Sequence, residues 1–280
     1  MNLQTRASFK KELLAYLRTH RFLVIGLSIL GLAIFSPLLI AGMGSFMYAF
    51  SDFYYDEMGM DVTEMVDMLG STTAIGVASA VEWIVGAGVI VMIVLLNRAA
   101  GGEQKKRAVI IPKSAGLRNF SYLLPKFIIY PLSVLFFSVV ALLAAWGISI
   151  LVFDTNDVSF STVLLAGVLA GVHMMFYACM HLTLGTATSK AGMSSAICIT
   201  ISILLPTMFA MYTMDYMFNP FTLGLLAQTT VLEGAVTASE LIDFGISTAF
   251  VLGLMALAFL VALFAQNAKR VDNTGNEIRL

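Results

Sequence analysis

Charge is what this sequence has least of. Of its 280 residues, 12% are Asp, Glu, Lys or Arg, where a soluble domain carries about 25%. Hydrophobic residues make up 59%, more than water can solvate on a folded surface, so the composition calls for lipid as solvent. The net charge of −1 leaves no global basic field and excludes nucleic acid as a partner. Only two cysteines are present, Cys179 and Cys198, both in apolar stretches. Two such thiols make neither a disulfide framework nor a redox motif. A phosphate-binding GxxxxGK[ST] loop is missing, so this chain does not hydrolyse ATP by that route. HExxH, GxSxG and an aspartate pair within a span are missing too. An intramembrane serine protease needs its serine and histidine on separate spans, yet the two membrane histidines, His173 and His181, share one apolar run. The chain is therefore read as a non-enzyme, with no metal or cofactor of its own.

The scarce cations are informative in their placement. All 16 Lys and Arg fall within residues 6–21, 98–126 and 269–279 or at position 190. Between them lie 22–97, 127–189 and 191–268, three stretches without a single Lys or Arg, each long enough for two crossings of about 20 residues. This predicts six transmembrane helices, at 22–46, 72–97, 127–153, 161–187, 193–214 and 244–267. Every cation then falls on one side, which the positive-inside rule makes the cytoplasm, with both termini on it. The apolar run after the polar first 21 residues is too long for a signal-peptide core. The expected class is an all-α membrane protein forming a single permease domain over 1–280, in the cell membrane of a prokaryote.

The opposite side is acidic: Asp52, Asp56, Glu57, Asp61, Glu64 and Asp67, then Asp154 and Asp157, then Asp215, Glu233, Glu240 and Asp243. Such a face attracts cationic cargo at low salt; the plainer reading is that these carboxylates are merely solvated.

Between the spans, several segments carry structure of their own. Phe9, Leu13, Tyr16 and Leu17 recur at helical spacing, with Lys10, Lys11, Glu12 and Arg18 on the other face. That predicts an N-terminal interfacial helix within 1–21, its cations near anionic lipid. In the loop 98–126, Gly101 and Gly102 are expected to break the helix, and a short helix is predicted from Ser114 to Leu124, closed by Pro125. The segment 219–243 is too polar at Gln228, Thr229 and Thr230 for a seventh crossing and too apolar for a loop, so it reads as a short re-entrant piece at the outer face. Residues 268–280 form a cytoplasmic tail.

Chemistry-bearing residues inside the spans are few. Glu82 is the one carboxylate well within a span, where a charge is costly and functional by default. It reads as a cargo contact, a proton site or a contact between subunits, against a structural bond to a Ser, Thr or Trp of a neighbouring helix. His173 and His181 lie two turns apart on one helix face, too far apart to share a metal. Met174, Met175, Cys179 and Met180 surround them, and Met58, Met60, Met65 and Met68 crowd the first outer segment. Soft ligands select copper, but gap-filling methionine and a helix-bonding histidine are the weightier reading. Glu82, His173 and His181 are the candidate cargo-pathway residues. Gly86 and Gly88 permit close packing, and Gly167-x-x-x-Gly171 has the spacing of a helix-pairing face.

The order of these elements, with two local patches, resembles the type-2 (ABC-2-like) permease subunits of ATP-binding-cassette exporters. Phe9-Lys10-Lys11-Glu12-Leu13 through Arg18 and Arg21 is similar to that family's amphipathic entry. Glu103, Pro112, Ser114, Arg118 and Lys126 occupy places similar to those in the family's loop after span two, although Glu103-Gln104-Lys105-Lys106-Arg107 stands where an acidic-Gly-Thr cluster is frequent. The resemblance implies a second permease copy or paralogue and two separate ATPase subunits that bind ATP and Mg. It implies a coupling helix within 98–126, through Glu103, Lys105, Lys106, Arg107, Pro112 and Arg118, and a second ATPase contact at Lys190. A peptide, antimicrobial or other amphiphilic cargo would move outward. The alternatives are a proton-coupled secondary transporter using Glu82, and a non-transport scaffold or accessory subunit.

Overall fold

The computed structural model describes residues 3–49, 72–102, 116–211, 219–234, 238–271 and 277–279. The chain begins with α1 (Leu3–Arg18) and α2 (Arg21–Ala49), then α3 (Thr73–Gly102), α4 (Asn119–Phe153) and α5 (Phe160–Thr188). It continues with α6 (Ala191–Met211), α7 (Leu223–Glu233) and α8 (Ala238–Asn267). A three-residue antiparallel pair, β1 (Lys269–Val271) with β2 (Glu277–Arg279), is the one departure from helix among the described elements.

Five helices are long and apolar enough to cross a membrane: α2, α3, α4, α5 and α8 from Leu241. This is the architecture of a multi-pass helical membrane protein. Its surface fits, since Leu27, Phe35, Phe136, Leu151 and Phe264 are large apolar side chains left exposed by the fold, which lipid but not water would cover. The fifth expected span corresponds to α6, whose apolar stretch Gly192–Met208 is shorter; residues 212–214 of that expected span lie outside the described residues.

Helix α5 is the centre of the bundle, packed on α3, α4, α6, α7 and α8. Small residues let it approach α4. A Cβ on Gly167 would stand 3.1 Å from the Val139 Cα, and one on Gly171 3.1 Å from the Leu135 Cα. The Gly167-x-x-x-Gly171 spacing thus serves packing within the chain rather than a face for another copy.

Three local expectations are corrected. Asn119 opens α4, and the helix runs unbroken through Pro125 and Pro131 to Phe153, so the short helix from Ser114 closed by Pro125 is not formed. A proline costs a helix about 3 kcal/mol in isolation, but Pro125 and Pro131 are both buried against the rest of the bundle, and membrane helices tolerate proline where neighbours satisfy the freed carbonyls. Gly101 and Gly102 do not break α3: Arg98–Gly102 winds on as a π turn, the second in that helix after Ile84–Gly88.

The third concerns α1. Its buried side chains are Thr5, Glu12 and Tyr16, while Leu13 and Leu17 are exposed. Spacings of seven and four residues put those three on one stripe. It is buried because α4 offers matching polar groups, so Glu12 does not share a solvent face with Lys10 and Lys11. The 219–243 segment resolves into the turn Asn219–Thr222 and α7, whose Gly224 lets Val85 of the first π turn come close; from Ala238 the chain already belongs to α8.

One end of the bundle carries Arg18, Arg21, Arg98, Arg118, Lys126 and Lys190 and is called here the basic end. At the other, acidic end, the Thr73 backbone N–H donates to the Thr155 hydroxyl at 2.8 Å and the Ala74 N–H to the Asp157 carboxylate at 3.2 Å.

Candidate functional site at the basic end

Lys126, the eighth residue of α4, is 2% exposed. A buried lysine needs both a counter-charge and hydrogen bonds. Its Nζ donates to the Ala99 carbonyl of α3 at 3.2 Å, lies 3.9 Å from Glu12 Oε1 of α1, and stands 4.8 Å over the Tyr122 ring. The carbonyl comes from the π turn Arg98–Gly102, where the regular ladder of helix bonds is interrupted and a side-chain donor can be received. Glu12 is held in turn by the Tyr130 hydroxyl, which donates to Oε1 at 2.7 Å. That is the short, charge-assisted bond of the group; the Lys126 contact is too long for a direct hydrogen bond and acts as a counter-charge.

Sequence spacing explains how one face gathers these groups. Tyr122, Lys126 and Tyr130 are four apart, so they stack along one flank of α4, with Ser133 continuing it. Tyr16 packs its ring edge-on against Tyr130 at 4.8 Å between centroids and donates to Ser133 Oγ at 2.8 Å, Ser133 itself donating to the Tyr130 carbonyl. Burial pushes the Tyr16 phenol above its ordinary value, with the Ser133 bond and the Arg21 charge opposing, so it remains a donor across the physiological range. Thr5 and Ser121 share a bond of 3.0 Å, and Gln4 Nε2 donates to the Gly116 carbonyl at 3.3 Å. The first helix is thereby fastened to α4 along its length. A cavity of about 450 Å³ opens beside this junction, lined by Gln4, Ser8, Lys11, Glu12, Leu117 and Tyr122 among others.

The end of α3 is gripped from the other side as well. A Cβ on Gly185 of α5 would stand 2.6 Å from backbone atoms of Ala100, so only glycine permits that contact. Ser195 of α6 donates to Asn97 Oδ1 at 2.6 Å. The basic end is thus one junction in which α1, α3, α4, α5 and α6 meet, and the chain from Gly102 to Gly116 leaves it and returns to it.

Of the expected coupling residues, Glu103, Lys105, Lys106, Arg107 and Pro112 lie outside the described residues. Arg118 caps the start of α4 in extended backbone and is exposed; Lys190 is exposed beside Ser189, which adopts φ 55° at the tight turn between α5 and α6. Both flank the junction.

The three expected pathway residues do not line one space. Glu82 is exposed on α3, two residues before the first π turn, rather than bonded to a neighbouring helix. The polar contact between α2 and α3 is made instead by Ser36 and Ser79 at 2.7 Å. His173 and His181 are 3% and 0% exposed inside the bundle. Among the described residues, no three His, Cys, Asp or Glu side chains converge as a metal would require.

The sequence reading placed Lys126 only at the opening of span three and missed its pairing with Glu12. A signal was available. Lys126 is flanked by Leu123, Leu124, Phe127 and Ile128, an apolar setting in which a lysine is buried only if paired. Glu12 and Tyr16 sit one turn apart on a helix beside it. No protein-family model and no curated protein of known function matches this chain.

Proposed function

We propose that this chain is the six-span permease subunit of an ATP-binding-cassette exporter of the type-2 kind. It works in the cell membrane as a pair with a second copy or paralogue, driven by two separate ATPase subunits. The basic end is cytoplasmic. What supports this reading is the Lys126 junction. Loop 98–126 holds the residues expected to meet the ATPase, and its two roots are tied together by the bond from Lys126 to the Ala99 carbonyl. A push on that loop therefore reaches α3 and α4 together, and through Glu12 and Tyr16 also α1. Helices tied this way move as a body rather than bending singly, which is what rocking of a permease by its ATPase requires. Exposed Glu82 fits the paired state, since a carboxylate at mid-span is expensive against lipid and is relieved when a second subunit or a polar pathway covers it.

The test is isolation through an affinity tag on this chain. A phosphate-binding-loop ATPase should co-purify and hydrolyse ATP, and charge reversal at Lys105, Lys106 and Arg107 should release it or uncouple it while the helices stay folded. A chain that purifies alone and whose transport survives without ATP refutes the reading. In that case the exposed Glu82 favours the second reading, a proton-coupled transporter, which predicts that Glu82→Gln abolishes transport driven by a pH gradient.

A further inference from the structure

The seam where α5 meets α6 and α7 contains polar atoms that the protein leaves without partners. His173, Tyr177 and His181 are spaced by four residues and form one stripe on α5, 3%, 0% and 0% exposed. The His173 ring lies beside the Pro220 backbone, and its Nδ1 has no hydrogen-bond partner. Among the described residues, that Nδ1, the Tyr177 hydroxyl, both ring nitrogens of His181 and the Nδ2 of Asn219 are buried with no hydrogen bond. The His181 ring lies beside the Ser194 backbone, in a contact too poorly aligned to satisfy it. Cys198 of α6, 0% exposed, completes the seam by donating its thiol to the Tyr177 carbonyl at 3.8 Å.

Orphaned polar atoms in a protein interior are rare, and each marks an absent partner. Gln4 Oε1 and Ser149 Oγ are unpartnered elsewhere, but five such atoms gather in this seam, and they are not alike. Asn219 Nδ2 donates, the Tyr177 hydroxyl and the His181 ring do both, and His173 Nδ1 does one or the other according to its tautomer. Residues 173 and 181 are separated by about 12 Å of helix, and the His173 and Tyr177 rings pack edge to face at 5.0 Å between centroids, so any bridge between their polar atoms runs beside the rings and not between them. An apolar void stays dry, but a site offering two to four polar groups holds water and orders it. Among the described residues, no side chain of the neighbouring elements fills the role: the Phe221 ring, which approaches Tyr177 at 6.2 Å, has no polar atom.

We propose that this seam is a water site: a file of ordered water molecules bound along His173, Tyr177 and His181, capped by Asn219 toward the acidic end. Toward the basic end it closes at the Ser195–Asn97 bond. The proposal does not depend on the exporter reading, because it concerns what the bundle interior binds and not what drives it.

Radiolytic hydroxyl labelling of the unmodified protein in nanodiscs tests it, since radicals born from bound water oxidise only the side chains beside that water. The same helix supplies the controls. Met174 is 0% exposed and receives the Ser138 hydroxyl, and Cys179 is 3% exposed on an apolar groove lined by Phe127, Met175 and Phe259. Both sulfurs are easily oxidised. Tyr177 and Cys198 should be labelled about tenfold faster than Met174 and Cys179 despite equal burial, and Tyr177→Phe should slow labelling of Cys198. Labelling of Met174 and Cys179 that equals or exceeds that of Tyr177 and Cys198 would overturn the proposal, as would a Cys198 rate indifferent to Tyr177→Phe.

Discussion

Lys126→Met removes the buried cation while keeping most of its apolar stem, and it leaves the Glu12 carboxylate with the Tyr130 hydroxyl as its remaining bond. The side chains of Lys126 and Glu12 are 2% and 8% exposed, so water from the cavity beside them reaches the stranded carboxylate at its margin and replaces little of the lost charge. Breaking a buried pair on one side costs about 3–5 kcal/mol. Glu12→Gln should cost a similar amount, because it removes the buried lysine's counter-charge. Replacing both, as Glu12→Gln with Lys126→Met, should recover most of the loss, since an apolar or neutral substitute for a whole buried pair is often close to neutral. Tyr130→Phe removes a hydrogen bond to a charged group and should cost about 1.5–3 kcal/mol. The assay is reversible unfolding in mixed micelles, with the two single variants and the double variant closing a cycle. A coupling energy within about 0.5 kcal/mol of zero would mean that Lys126 and Glu12 do not sense each other, and the junction described above would not exist.

Other outcomes follow from the same contacts. Gly185→Ala places a Cβ 2.6 Å from Ala100 backbone and should destabilise by about 1–3 kcal/mol. Gly86→Ala, where a Cβ meets nothing within 4 Å, should change thermal stability little. Tyr16 titrates higher in the fold than the ordinary 10.0, so above about pH 10 the unfolded chain loses a proton that the folded one keeps. Stability should therefore fall as pH rises beyond that point, and Tyr16→Phe should flatten that part of the fall relative to the parent protein. Charge reversal at Lys105, Lys106 and Arg107 should leave the unfolding midpoint unchanged while lowering ATPase retention.

The helices were legible because lipid imposes a length and the cations mark their ends. Spans expected at 22–46, 161–187 and 244–267 lie inside Arg21–Ala49, Phe160–Thr188 and Ala238–Asn267. Helix continuity was less legible. Gly101, Gly102 and Pro125 are breakers in a soluble helix, but here backbone groups that leave the ladder find partners in neighbouring helices, as the Ala99 carbonyl does in Lys126. The inner face of α1 was misjudged for a related reason. An amphipathic pattern states which residues are apolar, not which surface they meet, and Glu12 went inward because Tyr130 and Lys126 were waiting there. Glu82 shows the reverse: of the roles the sequence left open, the bond to a Ser, Thr or Trp of a neighbouring helix is not made, and the side chain is exposed on α3. His173 and His181 were visible as membrane histidines. Their alignment with Tyr177, Cys198 and Asn219 needed the fold, since those groups come from two helices and a turn.

The central claim is that this chain is the membrane half of an ATP-driven machine, and ATP hydrolysis by the complex purified on it tests that claim most directly. The account predicts hydrolysis by a co-purifying ATPase subunit that is lost or uncoupled when the 105–107 charges are reversed. Absence of any ATPase from the purified complex, together with transport that continues when ATP is removed, would contradict it.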